Sequence, residues 1–171
     1  MSSAADFDIE ALHAALDAQR QARGLSWQQA VREINTQFER TLARPLSPST
    51  VTGMRGKRVI EGDGVLQMLR WLDRSPESFV PGSQESAAER LPDIGTHQIL
   101  RFDTRKLYAA LDAQRIERGM TWKQVANEIG GLNAAGLTRL AEGGRTGFPD
   151  VMRMTRWLGR PAASFTRISD R

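Results

Sequence analysis

Ala14-Ala-Leu-Asp-Ala-Gln-Arg20 recurs unchanged as Ala109-Ala-Leu-Asp-Ala-Gln-Arg115. The match extends outward from this heptapeptide. Phe7-Asp8 returns as Phe102-Asp103, and at the same offset of 95, 16 of the 28 positions from Phe7 to Ile34 are identical. A second block, Met68, Arg70, Trp71, Leu72 and Arg74, returns at an offset of 86 as Met154, Arg156, Trp157, Leu158 and Arg160. The fall from 95 to 86 places nine extra residues in the first copy, between its two matching blocks. Self-similarity on this scale marks a repeated structural unit, so the chain reads as a tandem duplication. Residues 1–80 form the first copy and 101–171 the second. The intervening 81–100 is polar and punctuated by Pro81, Gly82, Pro92 and Gly95, a linker by composition. Each copy is expected to fold alone.

Within each copy the apolar spacing is helical. Ile9, Leu12 and Leu16 precede Gly24, and Leu107 and Leu111 precede Gly119, with glycine where a helix ends. Ser26-Trp-Gln-Gln29 and Thr121-Trp-Lys-Gln124 each read as a capping box opening a second helix, with Leu25 and Met120 in the staple position. That helix buries Ala30 and Ile34, or Val125 and Ile129. A third begins at Ser47-Pro48, an N-cap with proline at the first helical position, and its counterpart at Asn133; Val51 and Met54, or Leu137 and Leu140, face inward. A fourth uses Val65, Leu69 and Leu72, or Val151, Met154 and Leu158. A short fifth turn plants Phe79 or Phe165 in the core. Trp71 and Trp157 are expected in the core as well, and Trp27 and Trp122 as wedges between helices one and two. No run alternates at period two, so no strand is predicted.

Composition narrows the function classes. The chain has 171 residues, 40% hydrophobic and 26% charged, a balance suited to folding rather than disorder. No cysteine is present, which excludes disulfides, thiolate metal sites and cysteine nucleophiles. The two histidines, His13 and His97, are far apart in sequence, against a His-based zinc site or a hydrolytic triad. Asp17 and Asp112 read as partners of a neighbouring arginine rather than acid–base groups. The first residues carry neither a basic cluster nor an apolar core, so no secretory signal is expected, and no apolar run is long enough for a membrane span. Net charge is 0 over 1–80, −2 over 81–100 and +6 over 101–171. A basic half is the footprint expected of a nucleic-acid partner.

The first copy carries Arg23-Gly-Leu-Ser26, Ala30, Ile34, then Ser47-Pro-Ser-Thr-Val-Thr52, Arg55-Gly-Lys-Arg58 and a Trp71-Leu72 helix ending in Phe79. The second carries Arg118-Gly-Met-Thr121, Val125-Ala126, Ile129-Gly-Gly-Leu132, Asn133-Ala-Ala-Gly-Leu-Thr-Arg-Leu140 and Glu142-Gly-Gly-Arg145. This order resembles the λ-repressor-like (Cro/repressor, XRE-type) helix-turn-helix family, over roughly 7–80 and 102–166. The resemblance implies an all-α chain of two tandem five-helix helix-turn-helix domains whose third helices enter the DNA major groove. Two departures stand out. The family usually starts helix two with a polar residue that reaches a phosphate; here Trp27 or Trp122 occupies that place, and the contact passes to Gln28, Gln29, Lys123 or Gln124. The second is the stretch Asn35–Leu46, where Phe38 and Leu42 continue the period of Ile34. Helix two of the first copy is therefore expected to run on by about two turns, until Pro45.

Candidate DNA contacts follow from the implied docking. In the first copy they are Ser47, Ser49, Thr50, Thr52, Arg55, Lys57 and Arg58; hydroxyls bond bases or phosphates and arginine makes the two-pronged contact with guanine. The alternative is that Ser47 and Ser49 only cap the helix. In the second copy they are Thr138, Arg139 and Arg145, beside the small Ala134, Ala135 and Gly136. The first copy is expected to read sequence and the second, through its net +6, to grip; the alternative for the second is a recognition helix turned packing face. The implied function is a non-enzymatic, sequence-specific regulator of transcription bound to double-stranded DNA, cytoplasmic and nucleoid-associated. It has no cofactor, metal or small-molecule motif, and a homodimer is open. The competing reading is a protein–protein or dimerisation scaffold, an antitoxin-like adaptor built on the same domains.

Overall fold

The structure is a computed structural model that describes residues 7–57, 60–81, 89–95 and 97–169. These residues are mostly helical, with one two-stranded sheet. The first copy contains α1 (Ile9–Ala22), α2 (Trp27–Thr36), α3 (Pro48–Thr52), α4 (Gly62–Leu72) and a 3-10 turn, Pro76–Phe79. A strand, β1 (Ile99–Phe102), leads into α5 (Thr104–Glu117), α6 (Trp122–Ile129) and α7 (Ala134–Thr138). The 3-10 turn Arg139–Glu142, α8 (Phe148–Leu158), the 3-10 turn Ala162–Phe165 and β2 (Thr166–Ser169) complete the second copy. No helix among the described residues is long and apolar enough to cross a membrane.

Repeated residues make repeated contacts. Asp17 accepts Arg20 Nε at 3.0 Å and Asp112 accepts Arg115 Nε at 2.9 Å; the same arginines also donate to the carbonyls of Leu25 and Met120. Glu33 takes both Arg23 and the Trp71 indole, as Glu128 takes Arg118 and the Trp157 indole. Both capping boxes are complete. Gly24 and Gly119, just beyond α1 and α5, adopt φ of +66° and +63°, where a side chain would be strained. Trp27 lies 5.2 Å from the His13 ring and Trp122 stacks 5.2 Å from Tyr108, the wedge positions expected. Trp71 and Trp157 differ from expectation. They are half-buried, because each must keep its indole N–H on the exposed side with Glu33 or Glu128.

Two further expectations are corrected. α2 ends at Thr36 instead of running on to Pro45. Asn35 folds the following segment back by donating to Leu46 O and accepting Leu46 N, both at 2.8 Å, and Arg40 takes a left-handed φ of +68° that breaks helical continuation. Phe38 is buried, whereas Leu42 is 84% exposed, so their helical spacing was coincidental. The second correction is the antiparallel pair β1–β2, with Leu100 opposite Ile168 and Phe102 opposite Thr166. β1 starts inside the segment read as linker. Its other edge is satisfied by α4 side chains: Gln67 Nε2 donates to Leu100 O at 2.6 Å, and Asp63 Oδ1 accepts Phe102 N at 2.9 Å. With both edges occupied and Ile99, Leu100 and Phe102 all buried, β1 has no polar–apolar alternation for a period-two reading to find.

The copies share one core. Phe148 is fully buried with its ring 4.5 Å from Phe7 and 5.4 Å from Phe102, so aromatic residues of both copies meet. Gly62 N donates to Thr146 O (3.0 Å) and Phe148 N to Ile60 O (2.8 Å), a bridge centred on Glu61 and Gly147. Residues 60, 61 and 62 become 146, 147 and 148 at the repeat offset of 86, so the bridge maps onto itself when the copies are exchanged. The junction has the self-complementary form of a twofold dimer interface, realised within one chain. Buried Glu77 adds a clasp, its Oε2 accepting Ala162 N at 2.9 Å.

Candidate nucleic-acid interface

Ser47 opens α3 by accepting Thr50 N at 3.2 Å. Its hydroxyl also lies 3.0 Å from Ser49 Oγ and 2.9 Å from Thr50 Oγ1, so three exposed hydroxyls form a knot at the helix start. Val51 and Met54 are buried beneath, which turns Ser49 and Thr52 outward on one face by their i, i+3 spacing. Arg55 and Lys57 follow on the turn, both exposed; Arg58 lies outside the described residues. Burial first, and then the Arg55 charge, push the His13 imidazole below its ordinary value, which keeps it uncharged at neutral pH and places Arg55 near the α1–α2 wedge.

At the start of α2, Gln29 is committed to its own helix: its Oε1 accepts Ser26 N at 2.8 Å. Gln124 does the same for Thr121. Gln28 and Lys123 are exposed with no side-chain partner among the described residues, and the Nε2 donors of Gln29 and Gln124 stay open beside them. In the second copy Asn133 caps α7 through Gly136 N at 2.8 Å, Thr138 turns its hydroxyl back to Ala135 O, and Arg139 is exposed. The turn before α7 is short, with Gly130 and Gly131 at φ of +83° and +74°. Arg145 is placed apart from the α7 residues, lining a cleft with Asp63, Arg101 and Arg167.

The described cations of the first copy fall into two groups. Arg20 and Arg23 pair with acids, Arg70 donates to Gln67 Oε1, and Arg74 lies over the Phe79 ring. Arg32, Arg40, Arg44, Arg55 and Lys57 are exposed with no side-chain partner among the described residues, and all five lie between α2 and the turn after α3. Residues 27–57 hold these five against Glu33 and Glu39, and Glu33 is already paired. The corresponding 122–143 holds only Lys123 and Arg139 against Glu128 and Glu142. Eleven of the thirteen cations of 101–171 lie elsewhere, so most of the second copy's positive charge lies outside the α6–α7 segment.

Arg32, Arg40 and Arg44 were not singled out by motif reading. They belong to α2 and the nine-residue excess of the first copy, and Arg32 and Arg40 line an open groove of about 640 Å³ with Gln28 and Pro48. The available signal was the insertion itself, whose charged residues are Glu39, Arg40 and Arg44. Comparison of the chain with protein-family models, curated proteins and solved structures gave no match.

Proposed function

We propose that the chain is a sequence-specific, double-stranded-DNA-binding regulator of transcription without enzymatic activity. It would act in the cytoplasm on nucleoid DNA, through two λ-repressor-like helix-turn-helix units. The observation that supports this reading is the division of the first copy's described cations: Arg20, Arg23, Arg70 and Arg74 are engaged internally, and the five within 27–57 are exposed with no side-chain partner among the described residues. Such a surface is costly to keep unneutralised and suits a polyanion. In this reading α3 lies in the major groove. Ser49, Thr52 and Arg55 face base edges, with Arg55 suited to guanine, while Gln28, Lys57, Arg40 and Arg44 hold backbone phosphates. The α7 face, with Ala134, Ala135 and Gly136, offers little to read, so the preferred site is asymmetric. The self-complementary junction, rather than a loose tether, sets the distance between α3 and α7.

Selection from a random duplex library with the full chain tests this. The expected result is one enriched asymmetric motif, bound with an affinity that falls linearly on a log–log plot against salt, with a slope of about −0.9 per neutralised phosphate. No enrichment together with salt-independent duplex affinity would refute it. The small-residue surface of α7 favours a second reading, a protein-docking or dimerisation scaffold; salt-insensitive self-association lost on Ala135→Arg would support that instead.

A further inference from the structure

The duplication supplies an internal control for which side chains are special to one copy. At the repeat offsets of 95 and 86, Arg101, Arg105, Arg145 and Arg167 stand where the first copy has Asp6, Glu10, Val59 and Pro81. Two of these exchanges reverse a charge and two create one. The four arginines come from separate segments: β1, the first turn of α5, the loop before α8, and β2. The fold nevertheless brings them together. Arg101, Arg145 and Arg167 line a cleft of about 170 Å³ with Gly143, Gly144 and Thr146. Arg105 lies against the same loop, since a Cβ built on Gly143 would come within 2.8 Å of its Nε; the +78° φ of Gly143 also disfavours any side chain there.

Three features make this arrangement unfavourable in an empty chain. Arg101 and Arg167 are directly opposite in the β1–β2 register, where like charges repel. Arg105 puts a cation in the first turn of α5, against the helix dipole, where the first copy has an acid. Among the described residues the one carboxylate lining the cleft is Asp63, and both its oxygens are used, Oδ2 by Arg101 Nη1 at 3.0 Å and Oδ1 by Phe102 N at 2.9 Å. Arg145 and Arg167 are exposed and have no carboxylate partner among the described residues.

An anion in the cleft turns each of these repulsions into an attraction. Planar guanidinium groups match the paired oxygens of a phosphoryl group better than they match a halide. The cleft is smaller than the roughly 300–1,000 Å³ pockets that enclose a drug-sized ligand, so it holds one charged group and leaves the rest of a larger ligand outside. We propose that Arg101, Arg105, Arg145 and Arg167 form a phosphoryl-binding site on the second copy, distinct from the α3 reading surface. The phosphoryl group belongs either to a small phosphorylated molecule or to the DNA backbone. The site does not depend on the DNA reading, because inorganic phosphate alone can test it.

The experiment is thermal melting of the full chain against inorganic phosphate, with ionic strength held constant by chloride, for the wild type and for Arg145→Ala combined with Arg167→Ala. Both side chains are exposed, and circular dichroism at 20 °C checks that the variant keeps its helices. The expected result is a saturable rise in Tm of about 5–10 °C at a hundredfold excess over Kd, absent from the variant. Should free phosphate produce no rise, a variant that binds random duplex more weakly, with a salt slope reduced by about 2, would place the backbone phosphate in the same cleft. A phosphate response retained in the variant overturns the site. So does a null phosphate response with duplex binding unaltered or absent. A chain that binds no duplex but shows the variant-sensitive phosphate response would refute the DNA reading and leave the site standing.

Discussion

Replacing Phe148 by alanine separates two pictures of this chain: beads on a tether, or halves of one folding unit. Phe148 is fully buried, with ring centroids 4.5 Å from Phe7 of the first copy and 5.4 Å from Phe102. Truncating a buried phenylalanine costs about 3–5 kcal/mol, the lost transfer free energy plus the cavity left behind. For a domain of this length each kcal/mol lowers Tm by about 2–4 °C, so Phe148→Ala should lower it by about 6–20 °C. The shape of the transition matters more than its midpoint. Because the ring fills a core common to both copies, calorimetry and far-ultraviolet dichroism should show one transition, moved as a whole. A variant whose first copy kept its wild-type melting temperature while the second melted early would refute the shared-core argument. The reciprocal position gives an independent check. Gly62 occupies the same repeat position as Phe148, and a Cβ there would meet the Phe102 ring and Thr146 O at 2.9 Å. Gly62→Phe should therefore also destabilise the chain, although it adds apolar surface.

Three other outcomes are expected. Arg55→Ala should weaken binding to the selected duplex by about 1–3 kcal/mol and relax preference at one base pair, while Arg40→Ala with Arg44→Ala should weaken all duplexes alike and reduce the salt slope by about 2. Burial pushes the Glu77 carboxyl above its ordinary range. The folded state therefore holds its proton more tightly than the unfolded state, so this contribution is fully present below the unfolded carboxyl value and is lost as pH rises through the folded one. Urea melts between pH 4 and 7 should show that decline in the wild type and a flatter profile in Glu77→Gln. Phe38→Ala should cost about 3–5 kcal/mol and Leu42→Ser less than about 0.5 kcal/mol; equal losses in urea melts would mean that the insertion is helical after all.

What could be read in the sequence was whatever a copy settles within itself. Asp17 and Asp112 were legible as arginine partners, Ser26 and Thr121 as caps, and Leu12, Leu16, Leu107 and Leu111 as core, because each depends on neighbours a few residues away. What escaped depends on distant partners. β1 is made a strand by β2 on one side and by Gln67 and Asp63 on the other, and no local pattern announces that. The insertion misled because Phe38 and Leu42 keep helical spacing, while the Asn35–Leu46 clamp that bends the chain back has no periodicity. At the candidate interface the α3 hydroxyls, Arg55 and Lys57 follow from the helix-turn-helix resemblance, and the structure shows them exposed. Gln29 and Gln124 were assigned two roles, and the structure gives their side chains to the capping boxes. The unpaired state of Arg32, Arg40 and Arg44 depends on where every neighbouring carboxylate points, which no local pattern records.

The places where the copies differ follow from the symmetry of their junction. A residue that bonds inside its own copy meets the same partner in both, so the Asp–Arg, Glu–Trp and capping contacts occur twice without conflict. A residue near the pseudo-twofold axis meets its own counterpart, and two large side chains cannot fill one space. Glu61 faces its counterpart Gly147 there, and the next position is glycine in one copy, where a Cβ would meet Phe102 and Thr146 O, and phenylalanine in the other. The copies also differ at the next residue and at the one five along, in α4 and α8. Asp63 and Gln67 reach across to bond β1, while their counterparts are Pro149, which has no side-chain hydrogen-bonding group, and Arg153, which pairs with Asp150. A homodimer of identical units would have to compromise at each of these positions. Carrying both units on one chain lifts that constraint, and it allows the cations to be divided as well: on the first copy around α3, on the second around the β1–β2 ribbon. If the reading surface and the arginine cleft are separate sites, that division is what made them separable. Reverting Arg145 and Arg167 should then leave base preference untouched, and altering Arg55 should leave the phosphate response untouched.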